Sequence, residues 1–242
     1  MLFRCIQVQE IERIAKVEVT ISEVYGVKLR ILDEDGHLLN RKIEEICAES
    51  VRFTGRNLQS PNYAYPAKPV VLKALKQVTS SSRVFHASHD MEGHFHSLLK
   101  AAIKGKRLQD VILKDVRTEK DLKKTFMKFV KQGNWRKLWV LTEMDLLFVE
   151  RVIAWWRSQD PNEEYRSLAC KVPASFEVAA MKSQCEKDGG FSFLPHPKNP
   201  KSSMRISWEG RVMVVDFNYE FRKASDYMNL KNPPKLNESA WI

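Results

Sequence analysis

Four of the six histidines, His86, His89, His94 and His96, fall within eleven residues, with Asp90 and Glu92 between them. Imidazole ligates zinc, copper and nickel, and a loop could bring three rings within about 2.1 Å of one ion. The spacing argues against that chemistry. His86 and His89 would lie on opposite faces of a strand, and His94 and His96 would diverge on a helix. These four are the metal candidates of the chain, and the plainer expectation is a polar loop between a strand and a helix, with no metal and no cofactor.

Nucleophilic catalysis needs a Ser, Cys or Thr in a strained, glycine-flanked turn, and there is no GxSxG. The serine run 80–82 near His86 reads as a connection. The carboxylates Asp33, Glu34 and Asp35 share a turn, where solvation keeps them ordinary acids. Neither GxGxxG nor GxxxxGK[ST] occurs, so a phosphate-cradling nucleotide site has no support. The expectation is a protein that is not an enzyme.

Charge offers a different chemistry. Residues 100–137 hold 13 Lys and Arg against 4 Asp and Glu, which is +9 of the chain's net +10. Lys120, Lys123, Lys124, Lys128 and Lys131 lie largely opposite Leu122, Phe126 and Phe129, as on an amphipathic surface helix. Such a surface attracts an acidic protein or a nucleic acid. Single-stranded nucleic acid would also want exposed aromatics among the lysines, and periodicity turns both phenylalanines inward. Trp155 and Trp156 stand about 100° apart on a helix, so the pair cannot face one way; the plainer expectation is that both are buried between layers, and the alternative is that one is partly exposed. These five lysines and two tryptophans are the candidate binding residues.

The elements that must position them are legible in outline. Val17, Val19 and Ile21, then Val27, Leu29 and Ile31, alternate with polar residues as half-buried strands do. Asp35-Gly36 is a turn signal. A helix or short strand follows at 41–47, an extended piece at 51–53, and a loop at 55–69. Helical spacing then alternates with extended pieces. Helices are expected at 70–78, 95–103, about 119–132, 145–158 and 176–185. Thr118 and Asp121 form a capping box for the third, and Gly133 ends it. Extended pieces are expected at 83–86, 108–113, 136–141 and 165–171. Phe85, Ile112 and Trp139 are 27 residues apart and Ala169 is 30 further on. One strand and one helix per such interval is the mark of an α/β solenoid of the leucine-rich kind, although LxxLxLxxN is absent. Residues 189–203, with Pro195, Pro197 and Pro200, read as a loop or linker, and Glu209-Gly210 as the turn of a hairpin between 204–208 and 211–217.

The fold expected is therefore α/β: an irregular leucine-rich-repeat-like strand–helix array with an N-terminal strand-rich layer and a C-terminal β-hairpin. Residues 1–222 form one domain, divided into a strand-rich part (1–66), strand–helix repeats (67–188) and a capping hairpin (202–222). Residues 223–242 form a loosely ordered tail. With 242 residues, 43% of them hydrophobic, the chain suits one sizeable core. No apolar run approaches the ~18–20 residues that cross a bilayer, and no signal peptide is read at the start. Four scattered cysteines without a CxxC pair suit an intracellular protein, cytoplasmic or nuclear.

The segments 108–113, 135–141 and 148–156, and the Trp208-Glu-Gly210 turn, resemble the C-terminal regions of nematode F-box proteins. The likeness covers roughly 69–217 and lies in texture rather than a fixed motif. It implies a substrate-recognition role in a cullin-type ubiquitin ligase, through the repeat surface. It brings no F-box with it, because residues 1–66 read as strands without Leu-Pro, and no functional residue carries over. The sequence thus points to a non-enzymatic protein-binding module, with a nucleic-acid binder using the basic 100–137 surface as the alternative, and no membrane partner.

Overall fold

A computed structural model describes residues 13–22, 26–33, 35, 37, 38, 47–55, 69–88, 95–114, 120–160, 164–187 and 189–219. Three strands come first: β1 (Arg13–Ser22), β2 (Gly26–Leu32) and β3 (Cys47–Gly55). Helices and strands then alternate: α1 (Pro69–Ser81), β4 (Val84–Ser88), α2 (Phe95–Lys104), β5 (Asp110–Lys114), α3 (Lys120–Lys131), β6 (Lys137–Glu143), α4 (Leu146–Ser158), β7 (Arg166–Lys171) and α5 (Phe176–Lys187). Three antiparallel strands close the order: β8 (Phe191–His196), β9 (Asn199–Glu209) and β10 (Val212–Phe217).

The ten described strands make one mixed sheet in the order β2-β1-β3-β4-β5-β6-β7-β10-β9-β8. From β3 to β7 neighbours are parallel, and each crossover carries one helix and moves one place along the sheet. Right-handed crossovers in one direction put their helices on one face, and α1, α2, α3 and α4 do pack in succession. The strands alternate accordingly. Phe85, Ala87, Val111, Leu113, Leu138 and Val140 are buried toward the helices, while Val84, His86, Ser88, Ile112, Lys114, Lys137 and Trp139 keep partial exposure on the opposite face.

The recurring interval matches the register only in part. Ile112, Trp139 and Ala169 stand opposite one another across β5, β6 and β7. Phe85 is one place out: it faces Val111, and His86 faces Ile112. The chain is thus α/β, ending in an antiparallel hairpin. Two expectations need correction. The N-terminal strands are no separate layer: β1 pairs with β3 and β3 with β4, so they extend the same sheet. Residues 189–203 are no linker either. They form β8 and the start of β9, with Pro195 on the outermost strand, where a missing N–H costs no ladder bond. The expected elements at 41–46, Thr118 and the 223–242 tail lie outside the described residues.

Close approaches fix the helices. A Cβ on Gly105, just after α2, would fall 1.7 Å from the Ser80 carbonyl oxygen, so only glycine lets α1 and α2 meet there. Asp145 caps α4 by accepting from the Phe148 N–H at 2.9 Å. Trp156 ties the end of α4 to the far strands: its indole donates to Asn218 at 2.9 Å, and its ring meets His196 edge-on at 4.6 Å.

Candidate functional site

The outer surfaces of α3 and α4 enclose a groove of about 670 Å³. The 3.6-residue period explains its lining. Leu122, Phe126, Phe129 and Val130 turn to the core, which leaves Lys124, Lys128 and Lys131 exposed along the rim. From α4 come Leu147, Arg151 and Trp155. Leu147 is 52% exposed and Trp155 half-buried.

Charge in the groove is strongly one-sided. Lys123 is held by Asp145, its partner across the groove, and this pairing keeps the Asp145 carboxyl below its usual range. Lys124 reaches Asp121 at 3.6 Å. Among the described residues Lys128, Lys131 and Arg151 have no ion pair, so the groove presents three uncommitted cations around an apolar floor. Trp155 is seated from behind by Trp135, 6.1 Å away between ring centroids, and by the Arg166 guanidinium, 5.8 Å from its ring.

Of the predicted binding residues, Lys123, Lys124, Lys128, Lys131 and Trp155 converge here. The side chain of Lys120 lies outside the described residues. Trp156 must be set aside: it is 3% exposed and belongs to the core. The other basic residues of 100–137 scatter. Lys100 and Lys104 are exposed on α2, while Lys114 and Lys137 lie on the uncovered face of the sheet.

The histidines do not share a centre among the described residues. His86 lies on the uncovered face of β4, whereas His96 on α2 bonds Thr125 of α3 at 2.9 Å on the helix side. His89 and His94 lie outside the described residues. Asp33, Asp35 and His37 bring possible donor atoms within 4.8 Å of one another on an exposed turn. There Asp33 is committed to closing the turn, accepting from the His37 N–H at 2.8 Å.

Comparison with protein-family models, curated proteins and solved structures returns no match for this chain. No described helix is long and apolar enough to cross a membrane.

The uncovered sheet face is a second surface; the sequence offers a sheet face as an alternative docking surface but singles out no residue on it, because charged residues alternating along a strand look like an ordinary solvated face. Across its middle run Glu18, Arg52, His86, Ile112, Trp139, Ala169 and Val214, one from each strand from β1 to β10. Lys137 sits 5.1 Å over the Trp139 ring, whose indole donates to Ser167 at 3.1 Å. Toward β10, Asp216 is 2% exposed and accepts from Arg205 at 2.6 Å and from the Tyr165 hydroxyl at 2.5 Å. Burial, then the Asp216 charge, pushes the Tyr165 phenol upward.

Proposed function

We propose that this chain is a non-enzymatic protein-binding module that docks an acidic, amphipathic segment of a partner protein in the α3–α4 groove. The observation that carries the reading is the arrangement of uncommitted Lys128, Lys131 and Arg151 around half-buried Trp155 and exposed Leu147. An apolar floor takes leucine or aromatic anchors and a cationic rim takes flanking carboxylates, as helix-in-groove recognition does. The rim steers and orients, and desolvation of Trp155 supplies most of the affinity. An intracellular setting, cytoplasmic or nuclear, goes with this reading. The resemblance to F-box-associated regions supplies its finer form, in which the docked protein is the substrate of a ubiquitin ligase.

A helical peptide with leucines on one face and Asp and Glu beside them tests the proposal. It should bind, and the triple change Lys124→Glu, Lys128→Glu, Lys131→Glu should weaken binding at least tenfold without unfolding, since all three side chains are exposed. Equal binding by the triple variant would remove the groove from the account. The second reading, a nucleic-acid binder, draws on the same row of lysines. It requires a generic oligonucleotide to bind at ~50 mM salt and release steeply as salt rises. Buried Phe126 and Phe129 leave few rings there on which bases could stack.

A further inference from the structure

The uncovered face near the β1 side carries more positive than negative charge, with Lys16, Arg52 and Lys114 set against Glu18. Arg52 and His86 stand opposite each other on β3 and β4, about 4.8 Å apart along the sheet. Lys114 lies diagonally beyond His86 on β5, and Lys16 diagonally beyond Arg52 on β1. Glu18 stands directly opposite Arg52, whose charge, after the hydrogen bond from Lys16, helps to hold its carboxyl below the usual range. Glu18 takes Lys16 at 2.8 Å and Arg30 at 3.6 Å, and Asp110 lies beside Lys137 in register. The Arg52 Nε is buried and has no hydrogen-bond partner. An orphaned donor of this kind is costly, and an acceptor that reached it would offset that cost. We propose that Arg52, His86 and Lys114, with Lys16 at the rim, form a binding site for a phosphate-type dianion on the uncovered face of the sheet.

The charge balance selects the ligand class. With Glu18 compensating Lys16, Arg52 and Lys114 leave two charges to match: a single carboxylate meets one of them, whereas a tetrahedral dianion offers acceptors to the guanidinium fork, the imidazole N–H and an ammonium together. His86 reports on the site. Burial, then the positive charges of Arg52, Lys16 and Lys114, holds its imidazole down at about 4. A bound dianion reverses that field and favours the imidazolium.

The test titrates inorganic phosphate and methyl phosphate separately into the intact chain, with ionic strength held by chloride, while NMR follows the His86 ring. Saturable binding is expected, with the His86 midpoint rising by about one pH unit or more. Arg52→Ala should weaken binding at least tenfold. Arg52→Lys keeps the charge and removes the fork, and should fall between. Binding of phosphate alone marks a site for the free ion, and binding of both marks one that admits phosphate monoesters. The proposal is overturned if neither ligand moves the His86 midpoint, or if Arg52→Ala binds as the parent does.

Discussion

Trp155 and Trp156 are adjacent in the chain and serve opposite ends of the structure. The turn per residue of a helix showed that the two could not face one way, but not whether either would face outward, nor which. That choice depends on Asn218 and His196, 62 and 40 residues away, which hold Trp156 in the core. Asp216 was invisible to sequence reasoning, because nothing near it in the chain announces its partners Arg205 and Tyr165. Asp216→Asn leaves the largely buried Arg205 guanidinium without its counter-charge, and should cost about 3 kcal/mol in urea denaturation. His86 predicts a pH dependence. Its folded value, near 4, lies below the ordinary 6.5, so between those values the unfolded chain binds a proton that the folded chain does not. Stability present above about pH 6.5 is therefore lost as pH falls toward 4. With the ring partly exposed, the loss is on the order of 1 kcal/mol. His86→Gln should flatten this slope in denaturation series run in chloride buffers; an unchanged slope would place the titrating group elsewhere.

At the scale of elements, periodicity located the five described helices and the four strands between them, because each must hide one stripe or one face. Gly133 marked a helix end for reasons of backbone chemistry alone, and it does adopt a φ of +80°; the cap that Asp145 makes for α4 was not read in the sequence. The hairpin of β8 and β9 was missed because three prolines in six residues read as breakers, a rule that fails on an edge strand. Gly105 was missed because its constraint comes from another helix. Gly105→Ala would drive a methyl group into the Ser80 carbonyl and should cost more than about 2 kcal/mol. Gly133→Ala meets open space and should cost only about 1 kcal/mol, for its positive φ. Thermal denaturation of the pair checks the order, and a reversed order would mean that α1 and α2 can separate cheaply.

For the whole molecule, the near-constant interval between extended pieces anticipated neighbouring parallel strands, and Ile112, Trp139 and Ala169 do share a row across the sheet. It did not reveal that the first strands continue that sheet, because pairing between β1 and β3 is decided by register over thirty residues and more. Nor did it show which lysines converge, since that depends on how α3 lies against α4. A sheet this long has two edges to guard. On one, β8 carries Pro195 with Leu194 47% exposed beside it. Pro195→Val restores the missing N–H beside an apolar side chain, and should raise self-association in light scattering relative to the parent. No increase would mean that another feature shields this edge.

The one-step order of β3 to β7 also shapes how the molecule is born. As the chain leaves the ribosome, each of these strands finds the flank of its predecessor already laid down, so assembly can keep pace with synthesis. The rhythm breaks at β7. Its outer flank waits for β10, which is made about forty residues later, after β8 and β9 have passed. A nascent chain paused in that stretch carries a bare flank, and it is there that a holding chaperone would have most to protect.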